Sequence, residues 1–335
     1  MRNKGTDFRT EKEAMKMQKT NPLTLSGLAL VLLGAAMPSM ATDGGTRGTA
    51  PAIFPASAAR GQIVYGKACA ACHGENGDGN GPGAGPLNPK PRDFTSGTYK
   101  YRSTGTGERP TDADLLRVIT DGISHTQMPS WKYALSEQER MDVVAYIKGF
   151  SEDFKDTTAL DTLEMPETPP TSPEFVAEGR KVFMTLQCWT CHGTQGMGDG
   201  KSAGALKDNW GYPIRPVNFT LPRYKRGNDP QSIYKTVNTG LNGTPMTSFA
   251  GSFLFGGDRQ IDSSTNASFS AKEIEDLTSY LKSQPTEADI NAMSPEKKQE
   301  LEQHRRWALV HYVRSLIRQP DALHWMFMED MELTR

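Results

Sequence analysis

The chain is poor in cysteine and in aromatic residues, and these shortages limit what it can be. Only 4 of its 335 residues are Cys, which is enough for two disulfides, one zinc site, a redox dithiol or two covalent cofactor attachments. Aromatic residues make up 8% of the sequence, so side chains alone provide modest apolar material for protein cores. A bound apolar group would supply part of what is missing.

An excess of positive charge is also lacking. The chain has 38 Lys and Arg against 39 Asp and Glu, and residues 1–41 hold six of the basic and three of the acidic residues. The remaining 32 basic and 36 acidic residues give a net charge of −4, which argues against a nucleic-acid partner.

The N-terminus has the features of an export signal. Six Lys or Arg lie within residues 1–19, an apolar run follows from Leu23 to Met37, and Ser39-Met40-Ala41 forms a small-x-small cleavage pattern. The run is short for a membrane span. We predict a signal peptide over residues 1–41 and a periplasmic or otherwise exported mature protein. Membrane association would then require a partner or an uncleaved signal.

All four cysteines fall into two identical units, Cys69-Ala-Ala-Cys72-His73 and Cys188-Trp-Thr-Cys191-His192. Cys-x-x-Cys-His is the attachment motif for c-type haem, in which the thiols form thioethers and the histidine binds iron. A thioredoxin-like dithiol needs no histidine there, and a zinc site would require both pairs to converge. The sequence therefore predicts two covalently bound haem c groups, with His73 and His192 as iron ligands.

The segments around the two motifs repeat each other. In each copy a helical segment precedes the motif, and a glycine-rich loop, a turn with Pro and Phe, and a capped helix follow it. The paired segments are 59–65 with 178–183, 76–82 with 196–200, 90–94 with 215–219, and 112–121 with 229–239.

The repeat defines the predicted domain boundaries. We predict a first domain over residues 59–150, a linker rich in Pro, Thr and Glu over 151–173, and a second domain over 174–318. The second domain carries an insertion at 252–268 and an extra C-terminal helix, and a tail covers 319–335. Of the helices predicted at 271–283 and 295–317, the second better matches the closing helix of the first domain, 136–150.

Two methionines occupy the same place in the repeat. Residues 122–131 and 240–249 both read Gly-x-x-x-Thr-x-Met-x-Ser-aromatic, with Met128 55 residues after His73 and Met246 54 after His192. We predict that both thioethers are the distal iron ligands. His125 is a rival ligand in the first copy, but its counterpart is Gly243, so the shared pattern does not need it.

In this order of helix, haem motif, glycine-rich loop, methionine loop and closing aromatic helix, the chain resembles tandem di-haem class I c-type cytochromes. The resemblance covers about residues 59–150 and 174–318. It implies a mainly α-helical fold of two small domains, each wrapped on a haem with a partly exposed edge. It also implies that a loop proline carbonyl supports the proximal histidine, for which Pro82 or Pro86 is available in the first copy.

Two classes of function fit these features. Ligation by His and Met at both irons leaves no open position and favours electron transfer between redox proteins, such as an exported dehydrogenase and a terminal oxidase or reductase. The protein would act as a shuttle or as a subunit of a respiratory or dehydrogenase complex. The alternative is a di-haem cytochrome c peroxidase-like enzyme, which needs a distal ligand that can leave. A thiosulfate-oxidising enzyme lacks a spare cysteine here, and a gas sensor lacks a signalling domain.

Overall fold

Helices and irregular loops make up the part of the chain that the computed structural model describes, residues 54–318. Within this range, β structure is limited to two isolated bridges, Thr104 with Thr162 and Lys207 with Pro213. The predicted signal peptide and the tail from residue 319 lie outside the described residues. None of the described helices combines the length and apolarity needed to cross a membrane.

Two successive groups of helices follow the order of the sequence repeat. The first repeat (58–155) contains α1 (Ala58–Ala68), α2 (Ala70–His73), α3 (Asp112–Asp121), α4 (Glu137–Ile147) and the 3₁₀ helices Lys148–Phe150 and Glu152–Lys155. The second repeat (173–315) contains α5 (Pro173–Thr185), α6 (Trp189–His192), the 3₁₀ helix Ala203–Ala205, α7 (Pro230–Thr239), α8 (Ser263–Ser268), α9 (Ala271–Lys282), α10 (Glu287–Ala292) and α11 (Pro295–Ser315). Both repeats belong to one compact unit.

Polar caps explain where the helices begin. Thr111 and Asp114 form a reciprocal capping box at α3, and Ser136 with Glu139 does the same at α4. Asp229 caps α7, whose first residue is a proline, so the predicted start of this helix is off by one residue. The short helix α10 is absent from our sequence predictions, because its six residues carry too little periodicity to stand out.

Each repeat is closed by a tight crossing between its first and last helices. A Cβ atom on Gly61 of α1 would lie 1.9 Å from the carbonyl oxygen of Asp142 in α4, and one on Gly179 of α5 would lie 1.9 Å from that of Ala308 in α11. Glycine at this point lets the two backbones touch. The matching contact means that α11, and not α9, occupies the place of α4.

The additional helix α9 packs against α5. Arg180 forms an ion pair with Glu273 of α9, and the Tyr280 hydroxyl donates to Glu178. The insertion is held from α11, since the buried Arg305 donates to the carbonyls of Phe253 and Phe255 at 2.8 and 2.9 Å. These contacts make the core of the second repeat larger than that of the first.

Candidate functional site

The two Cys-x-x-Cys-His units adopt the same single helical turn. The His73 amide donates to the carbonyl of Cys69 at 2.9 Å, and the His192 amide donates to that of Cys188 at 3.0 Å. All four cysteines are free thiols. Among residues 54–318, no group of three or more Cys, His, Asp and Glu side chains is arranged to hold a metal ion, so the thiols do not gather into one zinc site.

A backbone carbonyl fixes each histidine ring. Nδ1 of His73 donates to the carbonyl oxygen of Arg92 at 3.0 Å, and Nδ1 of His192 donates to that of Val217 at 3.2 Å. Because a carbonyl only accepts, this bond selects the tautomer whose Nε2 is free to bind a metal. Burial also lowers the pKa of His73, and that of His192 to about 4, which keeps both rings neutral.

The expectation that Pro82 or Pro86 supports the first histidine is wrong. The chain reaches the ring only later, at Arg92 and Val217, each of which follows a proline. The glycine-rich loop instead turns back beside the motif helix, where the Gly79 amide donates to the carbonyl of His73. The repeated Pro-x-x-Phe pattern at 91–94 and 216–219 was the sequence signal for this contact.

A buried phenylalanine stacks on each histidine. Phe94 lies 4.5 Å from the ring of His73 at an interplanar angle of 17°, and Phe219 lies 4.2 Å from His192 at 16°. Phe94 and Phe219 are each 9% exposed. Each histidine is therefore held by one hydrogen bond and one stacked ring, in the same arrangement in both repeats.

The two methionine loops share their internal hydrogen bonds. The amides of Met128 and Met246 each donate to a threonine hydroxyl at 3.2 Å, from Thr126 and Thr244. The methionine carbonyls accept from Ile123 and Leu241 at 3.0 and 2.8 Å. Both methionines are half-buried. The Thr and Met residues that the two sequences share therefore make the hydrogen bonds that determine the shape of each loop.

His125 and Gly243 take the same unusual backbone conformation, with φ of 57° and 76°. Glycine adopts this left-handed region without strain, whereas a histidine does so rarely. The His125 side chain is exposed. The shared backbone conformation shows that this position forms a turn in both loops. The turn itself does not require a histidine side chain, since glycine forms it in the second loop.

A cluster of buried and half-buried polar groups near the first histidine was not predicted from the sequence. The buried Tyr99 hydroxyl has no hydrogen-bond partner within the described residues. Burial and the neighbouring charges of Arg92 and Lys225 lower the pKa of Lys100 to about 8. Among the ion pairs of the described residues, none includes Arg92 or Lys100. The buried Tyr99 hydroxyl and the half-buried Arg92 and Lys100, with Asp208 as a nearby negative charge, fit a group that carries carboxylates. The repeated pairs Tyr99-Lys100 and Tyr224-Lys225 were the available signal.

Comparison with known proteins agrees with this geometry. The family model for cytochrome c matches the chain twice, over residues 58–151 and 176–285. The chain belongs to the cytochrome c family. Membership implies covalently bound haem c and a part in electron transfer. No curated protein matches the sequence significantly.

A solved structure gives a second comparison for this cytochrome. One chain of the reducing HAO-like protein complex of Kuenenia stuttgartiensis is 34% identical to it, with a TM-score of 0.62. The match covers 80% of this chain and 100% of the other. A chain of similar fold is therefore part of a reducing HAO-like protein complex.

Proposed function

We propose that this cytochrome is an exported electron carrier with two haem c groups, one in each repeat. The observation that carries the proposal is the duplication of a complete donor set: two thiols, a histidine with a fixed tautomer and a methionine loop of identical internal bonding. Haem c, when bound, supplies a one-electron iron couple.

The chain assigns a role to each side chain of this set. Cys69 with Cys72, and Cys188 with Cys191, would hold the porphyrin as thioethers. His73 and His192 would bind iron through Nε2, and their Nδ1 hydrogen bonds keep that nitrogen unprotonated. Met128 and Met246 would fill the remaining position, which favours the reduced state and closes the metal to substrates.

The cationic cluster of the first repeat would hold the haem carboxylates. The positive charge of Arg92 is close enough to lower the pKa of Lys100, and Tyr99 offers a buried hydroxyl as donor. A carboxylate there would satisfy that hydroxyl and offset the cost of the half-buried positive charges. Lys100→Ala should then lower the reduction potential of the first repeat, because a nearby positive charge stabilises the reduced state.

A multi-chain redox assembly is the proposed setting. The similar chain belongs to a reducing HAO-like protein complex, and 34% identity over its full length makes a related arrangement our first choice here. The chain would pass electrons between a redox enzyme and a second acceptor. Purification of tagged protein from its native host at low salt should bring down a further haem-containing chain, and its consistent absence would favour a free shuttle.

The peroxidase-like alternative depends on one feature, the exposed His125 next to Met128. A carrier with both irons six-coordinate should bind neither carbon monoxide nor peroxide at neutral pH. We expect stopped-flow mixing of the half-reduced protein with hydrogen peroxide to show slow oxidation only. Rapid formation of a high-valent iron species, abolished in His125→Ala, would replace the carrier proposal with the enzyme.

A further inference from the structure

The second repeat contains a small hairpin that the first lacks. Gly81 and Phe94 are 13 residues apart, whereas their counterparts Gly200 and Phe219 are 19 apart. The longer segment folds back on itself through the bridge between Lys207 and Pro213 and the bond from the amide of residue 208 to the carbonyl of residue 212, at 2.9 Å. Its turn presents one large side chain, Trp210.

The indole of Trp210 lies between the two repeats. On one side, the guanidinium carbon of Arg92, in the first repeat, is 4.3 Å from its ring centroid. The indole also contacts Gly243 of the second methionine loop, where an added Cβ would lie 2.7 Å from Cζ3. The Asn209 amide also donates to the Gly243 carbonyl at 3.1 Å. A cation over an indole is the strongest common cation–π pair.

Arg92 also contacts the proximal histidine of the first repeat. Its carbonyl oxygen is the acceptor for Nδ1 of His73. One residue therefore touches the proximal histidine of the first repeat with its backbone and the indole with its side chain. From the indole, the contact continues to Gly243, three residues before Met246.

Other residues of the first repeat bear on the same loop. The buried Arg102 donates to the carbonyl of Thr239, the last residue of α7, at 2.7 Å. The Gly107 amide donates to Asn242 Oδ1 at 3.3 Å, and an added Cβ on Gly243 would lie 3.0 Å from Cγ2 of Thr98. The loop that carries Met246 is thus supported from outside its own repeat.

We infer that Arg92 and Trp210 are positioning residues that couple the ligand histidine of the first repeat to the methionine loop of the second. The inference rests on the proposed function, because its readouts are those of ligated haem. Its consequence is that the two reduction potentials are not independent. A change at the stacked pair alters the hydrogen bond to His73 on one side and the seating of Met246 on the other.

The test uses the full-length protein with both haems attached. Trp210→Leu removes the indole without changing charge, and Arg92→Ala removes the guanidinium but keeps the carbonyl at His73. Trp210→Phe keeps a flat face for Arg92, and Lys155→Ala removes a positive charge from an exposed pair with Glu152 as control. Potentials are measured by spectroelectrochemistry together with the near-infrared methionine band.

We expect effects that cross from one repeat to the other. Trp210→Leu should shift the potential of the first-repeat haem, and Arg92→Ala should weaken the methionine band of the second. The double variant should shift each potential by less than the sum of the single shifts, since both changes break one contact. Trp210→Phe should restore most of the shift, and Lys155→Ala should leave both potentials in place.

Either of two results would overturn the coupling while leaving the proposed ligands in place. Shifts confined to the repeat that holds the substitution, or single shifts that add in the double variant, mean that no coupling passes through the pair. If the unmodified protein lacked the methionine band, the proposed ligands would fail, and this inference with them. If Trp210→Leu does not retain both haems, Arg92→Ala alone decides by whether the second-repeat band changes.

Discussion

The two methionine loops share one sequence pattern and one set of internal hydrogen bonds, yet their surroundings differ. The first loop lies at the surface, with His125 exposed and the nearby Tyr133 90% exposed. The second loop lies between Trp210 and Thr98. The repeated pattern therefore sets the local conformation of a ligand loop, whereas contacts with the rest of the molecule set how freely the loop can move.

The support between the repeats runs from the first repeat to the methionine loop of the second. The first repeat supports the loop of the second through Arg102 and Gly107, whereas the first loop has no comparable cover in the described structure. We therefore expect damage to the first repeat to reach the second methionine, and damage to the second repeat to leave the first methionine largely unaffected. This one-way dependence concerns the methionine loops, since Trp210 of the second repeat also contacts Arg92, which supports the first histidine.

The largest effect should come from removing one haem attachment. Cys69→Ala with Cys72→Ala should leave one covalent haem, unfold most of the first repeat and also weaken the methionine band of the remaining haem. Cys188→Ala with Cys191→Ala should remove the other haem but keep the band of the first at normal intensity per haem. Haem staining on a denaturing gel and the near-infrared spectrum give both readouts. Equal damage in the two variants would contradict the one-way dependence.

A large effect on stability, equal in the two repeats, is expected at the helix crossings. Gly61→Ala and Gly179→Ala each force a Cβ against a backbone carbonyl at 1.9 Å and should cost about 3 kcal/mol or more of unfolding free energy. Gly66→Ala in α1 meets open space and should stabilise by about 0.5–1 kcal/mol. Guanidinium unfolding followed by circular dichroism measures all three. A difference between the two crossings would mean that the repeats differ in their scaffold as well as their loops.

A smaller effect is expected from loosening the second loop alone. Arg102→Ala removes the charged hydrogen bond to the Thr239 carbonyl and should cost about 2 kcal/mol. It should also let added imidazole compete with Met246 as readily as it competes with Met128 in the unmodified protein. Arg109→Ala, which breaks an ion pair with the exposed Asp156, is the matched control. The measurement is an imidazole titration that follows the loss of the methionine band. If Met246 is displaced no more readily in Arg102→Ala than in the unmodified protein, the prediction is wrong.

The features that could be predicted from the sequence are those that occur in both copies of the repeat or that have a clear local pattern. The capped helices over 112–121 and 136–150, the helix over 295–317 and the shared form of the methionine loops each rest on local patterns, and the described structure has them within a few residues. The support of the histidines by Arg92 and Val217 was missed, because the repeated Pro-x-x-Phe pattern marks a turn in each copy but does not tell which backbone carbonyl faces the ring. The role of Trp210 was also missed, since it depends on how one repeat packs against the other.

The most direct measurement is the near-infrared spectrum of the purified ferric protein, recorded with its haem content. The account predicts two covalent haems per chain and a methionine charge-transfer band of twice the intensity of a single His/Met centre. Met128→His and Met246→His should each halve the band and lower one potential, because imidazole stabilises the ferric state. One haem per chain, a band of half intensity in the unmodified protein, or a full band in either variant would contradict the account.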